Sequence, residues 1–372
     1  MPPDAQATTA TRPAERITRQ NILVVKLGAF GNIILSLAAF AAIRQHHSGA
    51  RISVLTSQTY AGWLRDFPYF DDVLVDPRPR WWDLAGLHRL GRTLADGQFA
   101  RVYDLQTSAR SSRYFRLFPA KHRPQWSGIA FGCALPDRDP RRNVLHDTIR
   151  QQGQLRQAGI SVFPPADLSW CRGDIARFAL PADFALLVPG SSPSRPAKRW
   201  PAARYQSLAQ LLRQKGIAPV VIGSASEQDL AAQIPSAIDL TGQTGFGDLA
   251  DLARAAQFAV GNDTGPMHLL ATAGCATTTL FSADSNPSQC APSGRWTRVL
   301  QRPDLADLAV ETVLQSLPTD ACPTGDADPT DAGPTDAGPI DARPTGAGPT
   351  GASLEDVRPE DAGPIDARAT DA

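Results

Sequence analysis

Short apolar runs alternate with longer stretches that carry apolar residues at helical spacing. Ile22-Leu23-Val24-Val25 is all apolar, as in a strand buried on both faces of a parallel sheet. A Gly-rich turn follows, then a predicted helix over 33–44 that ends at His46-His47-Ser48-Gly49. Arg51–Leu55 predicts the second strand, and two such units in succession imply a right-handed parallel arrangement. Val73–Val75 and Arg101–Leu105 read as further strands, with helix around Arg89–Ala95 and over Thr148–Ala158. The Pro/Arg-rich stretch 119–145 reads as loop.

The pattern restarts at Phe184–Val188. Helix is expected over Pro201–Lys215, strand over Pro219–Ile222, helix over Glu227–Gln233, strand over Ala237–Leu240 and helix over Asp248–Ala256. Phe258-Ala259-Val260 and Thr277–Phe281 read as strands, and Asp307–Leu317 as a last helix, one that could cross back to the first half. The fold class is therefore α/β, in two Rossmann-like halves whose strand ends face each other across a cleft. The division is a leader at 1–19, a first domain at 20–165, a linker at 166–181, a second domain at 182–317 and a tail at 318–372. The leader is polar and reads as disordered. The tail repeats Asp-Ala-Gly-Pro-Thr-like pentapeptides with almost no apolar payload, so it too reads as disordered. It could shield the basic half or meet a partner.

The 372-residue chain has zero formal net charge, but the balance is uneven. Residues 21–160 hold 19 Lys and Arg against 10 Asp and Glu, and residues 318–372 hold 3 against 12. The basic half suits a phosphorylated partner or an anionic membrane surface, and equally a solvated Arg-rich face. Arg110, Arg113 and Arg116, three apart, could form one basic helical face. Five scattered Cys with no CxxC pair argue against a disulfide framework or zinc site and for reduced thiols in the cytosol. No run approaches a membrane span, so a soluble or at most peripheral protein is expected.

The stretch Gly261-Asn262-Asp263-Thr264-Gly265-Pro266-Met267-His268 lies between an apolar strand and a small apolar helix. Thr264 suits an N-cap and Pro266 a first helical turn. The unpaired N–H groups at such a helix start could bind a diphosphate, although strand–turn–helix joints without ligand are common in α/β proteins. The first turn, Gly28-Ala29-Phe30-Gly31, lacks GxGxxG spacing, and no GxxxxGK[ST] occurs. Dehydrogenase and P-loop readings are weak on that ground.

Four pieces occur in one order over roughly 21–317. They are Val25-Lys26 with the turn to Gly31, Ala197-Lys198-Arg199-Trp200-Pro201, Gly223 through Glu227, and Asn262-Asp263-Thr264-Gly265 with His268. On these the chain resembles glycosyltransferase family 9, the heptosyltransferases of lipopolysaccharide core assembly. The resemblance implies a GT-B fold and inverting sugar transfer from a nucleotide diphosphate, ADP-heptose first among donors. It implies no cofactor and no metal. Partners would be the nucleotide sugar and a lipid-linked or envelope glycan, with no nucleic acid. The location would be cytoplasmic, with peripheral contact at the inner membrane face.

Carried over, Lys198 would pair with the diphosphate and stabilise the leaving group. Glu227 would bind the ribose hydroxyls and Asp263 the donor sugar. Thr264 and Gly265 would offer donors to the phosphates, Ser191 and Ser192 would line the nucleotide loop, and His268 would line the site or be a plain buried histidine. Lys26 and Gly31 fall on the acceptor or phosphate side. One residue departs from the pattern. The family's first turn ends Gly-Asp, the Asp being the proposed base, where this chain has Gly31-Asn32. A neutral amide cannot take the acceptor's proton near neutral pH. Either Asp104 at the end of its strand substitutes, or the reaction runs with little base assistance, or the protein binds a sugar nucleotide without turning it over. Asp104 also suits a plain turn or N-cap.

Overall fold

A computed structural model describes residues 20–192 and 194–318. The leader, the repeat tail and Cys322 lie outside the described residues. The first half runs β1 (Asn21–Val25), α1 (Phe30–Ile34), α2 (Leu37–His46), β2 (Arg51–Ser57), α3 (Gln58–Leu64) and β3 (Asp72–Asp76). It continues with α4 (Leu84–Asp96), β4 (Arg101–Asp104), α5 (Ala109–Tyr114), β5 (Gln125–Gly128), β6 (Leu135–Pro136) and α6 (Asp147–Gln157). The second half runs β7 (Phe184–Val188), α7 (Ala202–Gln214), β8 (Ala218–Val221), α8 (Gln228–Ala231), β9 (Ile238–Asp239) and α9 (Phe246–Ala255). It ends with β10 (Ala259–Asn262), α10 (Gly265–Thr272), β11 (Thr277–Phe281), α11 (Pro287–Cys290), β12 (Thr297–Gln301) and α12 (Val310–Gln315).

Each half builds one parallel six-stranded sheet. The orders are β3-β2-β1-β4-β5-β6 and β12-β11-β10-β7-β8-β9. Both are the doubly wound Rossmann order, with a topological switch point between β1 and β4 and another between β7 and β10. The central strands β1 and β7 are buried almost throughout, which is why their sequences are unbroken apolar runs.

Several expectations on element limits are corrected. The helix expected over 33–44 is two helices, broken where the Ser36 hydroxyl donates to the Asn32 carbonyl at 2.7 Å. Such back-bonding competes with the helical ladder and bends the chain. The stretch 119–145 is not all loop, because β5 pairs with β4 and β6 with β5. Long-range pairing there overrides a composition poor in strand signals. Strand β12, pairing with β11, was not expected either. Helix α5 ends at Tyr114, and Arg116 falls in a following 3₁₀ turn, so the three arginines do not share one helical face. The last helix stays with the second half: Val310 and Val313 join the core that holds Trp200, Tyr205 and Leu212 of that lobe.

Candidate functional site

At the second switch point, the loop after β7 and the turn after β10 lie side by side. Asn262 at the end of β10 joins them. Its amide Nδ2 donates to the Pro189 carbonyl at 2.7 Å, and its Oδ1 accepts from the Trp200 N–H at 2.9 Å and the Tyr205 hydroxyl at 3.1 Å. All four of these residues are buried. One amide thus fixes the distance between the Ser191 loop, the Lys198 loop and the start of α10.

That anchor brings Lys198 onto Asp263, with Nζ 2.6 Å from Oδ2 and both side chains mostly enclosed. Asp263 directly precedes Thr264, the extended N-cap of α10. The Thr264 hydroxyl makes no capping hydrogen bond, and Pro266 sits in the first turn as expected. Lys198 therefore stands beside the start of α10, through Asp263. Gly261 lets α10 lie this close to its strand, since a Cβ there would meet Met267 Sδ at 2.5 Å and Val188 Cβ at 2.6 Å. Ser191 is buried, and its hydroxyl and carbonyl accept from the Arg199 guanidinium at 3.2 and 2.9 Å. Ser192 is half-buried, and its hydroxyl lies 2.9 Å from that of Ser194.

Glu227 lies against the loops that leave β7 and β8. Its Oε2 accepts from the Ser224 N–H at 2.7 Å in a capping box. Gly190 and Gly223, after β7 and β8, face this carboxylate so closely that a Cβ on either would collide with it. Glu227 is partly accessible beside this cap.

His268 is buried on α10 against the first half. A Cβ on Gly31 would lie 2.6 Å from its Cδ2. Burial pulls its pKa down to about 4, against the raising charge of Asp263, and its Nδ1 has no hydrogen-bond partner. The imidazole is thus neutral near pH 7.

At the first switch point, Lys26 follows β1 and Asp104 ends β4. Lys26 is buried. Its Nζ donates to the Leu105 carbonyl at 3.3 Å and lies 3.9 Å from Asp147 Oδ2. Burial lowers the Lys26 pKa, and Asp147 raises it in part. Asp104 is fully buried, and its Oδ1 accepts from the Thr107 N–H at 3.0 Å. Burial pushes its carboxyl up to about 7, against the lowering pull of the Thr107 and Gln106 N–H groups, the Ser111 hydroxyl and the Lys26 charge. Such a pKa suits a base, but a base must also reach its proton. Asp104 is sealed from the surface here, with Oδ1 holding its turn and Oδ2 without a hydrogen-bond partner. Asn32, in contrast, is exposed.

Two groups that sequence reasoning passed over join the site. Asp147, in the first turn of α6, is buried, ion-paired to Arg150 and Lys26, and accepts from Gln151 Nε2. His146 reaches across to the second half, with Nε2 3.0 Å from the Ala291 carbonyl. The signal available was a His-Asp pair opening a helix, which is ordinary for a helix start. Among the described residues no three His, Cys, Asp or Glu side chains gather as a metal site would need. A separate apolar hollow, lined by Ile175, Ala179, Leu180 and Ala255, lies at the connector and contains none of the site residues.

Two doubly wound sheets facing across a cleft define the GT-B class. The site lies at the carboxyl edge of the second sheet, against the first half. Residues 147–313 match the model of glycosyltransferase family 9 (heptosyltransferase). The lipooligosaccharide heptosyltransferase 2 of Haemophilus ducreyi is 25% identical over 276 residues, 67% of this chain and 79% of that protein. A solved family 9 glycosyltransferase from Veillonella parvula superposes with a TM-score of 0.67 at 20% identity, over 80% of this chain and 95% of that one. The E. coli ADP-heptose lipopolysaccharide heptosyltransferase II gives 0.63 at 20% identity, over 80% and 97%. Together these findings make the chain similar to glycosyltransferase family 9 heptosyltransferases, in sequence over residues 147–313 and in fold over most of its length.

Proposed function

We propose that the protein transfers a heptose-like sugar, with inversion and without a metal, from an ADP-linked donor to lipopolysaccharide core or another envelope glycan. It would work at the cytoplasmic face of the inner membrane. The observation that carries this reading is the Lys198–Asp263 pair set against the start of α10 at a switch point. The N–H groups there and the Lys198 ammonium would grip the diphosphate and stabilise the charge that grows on the leaving group. Asp263 would face the donor sugar, Glu227 the ribose, and Ser191 and Ser192 the nucleotide. Gly265 would add a backbone donor, and His268 would close the phosphate side from below. Lys26 and Gly31 lie on the acceptor side. The names of the relatives support the donor: the E. coli protein is an ADP-heptose enzyme.

Asn32 is the exposed group on the acceptor side and would orient the hydroxyl without taking its proton. The same residue favours a second reading, a sugar-nucleotide-binding protein without turnover. The test is a thermal-shift panel of ADP-, UDP-, GDP- and CDP-sugars, followed by turnover of the parent and of Asn32→Asp. We expect ADP-heptose to stabilise the fold by mass action. Restoring a carboxylate should raise turnover by about 10²–10⁴-fold, the usual worth of a placed base. Stabilisation without turnover in either protein would favour the binding reading. If no nucleotide sugar stabilises the fold, both readings fail.

A further inference from the structure

The first sheet's carboxyl edge carries aromatic side chains that the core leaves out. Trp81 and Trp82, in the loop after β3, are 73% and 58% exposed, and Leu84 at the start of α4 is 76% exposed. Scattered apolar residues on a surface are normal, but three within four positions are not. Phe131, in the turn leaving β5 from the same edge, is 92% exposed. Strands β3 and β5 stand four places apart in the sheet. Four strand spacings put these two apolar points about 19 Å apart. Points so separated on one edge can touch a plane together more readily than a single groove.

The surroundings are cationic. Segments 77–92 and 108–123 hold nine Lys and Arg and one carboxylate, Asp83, and that carboxylate is used to cap α4 by accepting from the Gly86 N–H. Arg80, Arg89 and Arg92 are exposed, and the Arg80 guanidinium stands 5.3 Å from the Trp82 ring centroid. Arg110 Nη1 donates to the Pro79 carbonyl, which ties the second segment to the Trp loop. The Arg78 pKa is lowered by burial and by the charge of Arg110, with Asp76 raising it in part, so positive charges lie close together here.

We propose that this edge docks on an anionic phospholipid bilayer, with Trp81, Trp82 and Leu84 seated at the headgroup level and the arginines on lipid phosphates. Indole prefers the interfacial zone, and polybasic segments are drawn to anionic leaflets. Loops leaving this sheet edge also lead to Lys26 and Asn32, so docking would turn the acceptor side of the cleft toward lipid. The inference deepens the transferase reading by naming the surface that meets the membrane, and it is tested without donor or acceptor.

The experiment is co-sedimentation of the full chain with phosphatidylcholine vesicles, with and without phosphatidylglycerol, at low and high salt. ADP thermal shift runs alongside as a separate readout of the nucleotide site. We expect binding that needs phosphatidylglycerol, weakens with salt and falls at least ten-fold in Trp81→Ser/Trp82→Ser, with the ADP shift unchanged. Leu84→Ser and Arg80→Gln/Arg89→Gln should each weaken it by a smaller factor while keeping the fold. Absence of vesicle binding, or binding that the Trp variant retains, overturns the proposal. So does a result in which lipid-free core oligosaccharide binds through Trp81 and Trp82 while vesicles are ignored. Loss of the ADP shift in the parent would count against the nucleotide site and leave the vesicle result to be read on its own.

Discussion

Lys198 and Asp263 neutralise each other across 2.6 Å in a nearly enclosed setting. Removing one partner leaves a charge without its counterion, which typically costs about 3–5 kcal/mol for a buried pair. A drop in activity of Lys198→Ala alone would therefore mix folding with function. The double variant Lys198→Ala/Asp263→Ala separates them. Chemical denaturation should show it recovering most of the stability lost in Lys198→Ala, while transfer remains at least 10²-fold down, the scale of losing one electrostatic stabiliser. Recovery of both stability and transfer would show that the ammonium does no work on the diphosphate. A second pair of residues governs pH dependence. Asp104 titrates near 7 in the fold against 3.8 ordinarily, so the folded chain holds that proton more tightly. Its contribution to stability is full below about pH 4 and is lost as pH rises through 7, by at most about 4 kcal/mol. His268 titrates near 4 against 6.5, so its contribution is full above 6.5 and is lost as pH falls, by about 3 kcal/mol. The two slopes oppose each other between pH 4 and 7. Stability of Asp104→Asn should rise with pH across that window, and stability of His268→Gln should fall with it, both measured by urea unfolding. Parallel curves for the two variants would mean that neither group is held as described.

At the scale of elements, what was legible in the chain followed how local its cause was. Strands β7 and β11 were read to the residue, β7 because burial on both faces leaves an unbroken apolar run and β11 because β-branched threonines lead into Leu280-Phe281. The β10–α10 joint was legible from Thr264 and Pro266, which act within one turn. The hydroxyl of Thr264 was expected to cap and makes no capping hydrogen bond. The break between α1 and α2 was not legible, because a serine inside an apolar helix gives no sign of whether it will bond backward. Strand β5 was hidden in Pro/Arg-rich sequence, since its hydrogen bonds come from β4 and not from its own propensity. Of the residues on motifs, Lys198 meets Asp263 beside Thr264, and Glu227 lies against Gly190 next to Ser191. Asp104 does not join them, since a strand end can point into the cleft or under it, and here it is covered. Asp147 and His146 were missed because their partners, Lys26 and Ala291, are over a hundred residues away in sequence. Asn262 was seen as part of a motif, but its role as the joint of three loops depends on Pro189 and Trp200, which sequence spacing does not place.

At the scale of the whole molecule, rings and glycines meet between the lobes within one continuous apolar cluster. Phe30 of α1 packs on Phe246 of α9 with centroids 5.1 Å apart, and Trp63 of α3 stacks on the same ring at 4.1 Å. Gly31 and Gly265 allow the approach. A Cβ on Gly31 would meet the His268 ring, and one on Gly265 would collide with Phe30. Both glycines have ordinary backbone angles, so alanine adds volume at the contact without backbone strain. In the proposed transfer, lobe closure would bring Asn32 toward Lys198 and Asp263 and exclude water from those charges. Gly265→Ala should therefore act as a wedge. Small-angle scattering should show a larger radius of gyration for the variant than for the parent, and ADP should close the gap only in part. One apolar cluster runs through both lobes, from Ile22 and Phe30 to Leu186 and Leu270, so a wedge there should also lower the melting transition. Transfer should fall by about 10²-fold, as expected when reacting groups are misplaced by an ångström. A variant with unchanged scattering and unchanged transfer would show that the Phe30–Gly265 contact does not set the distance between the lobes.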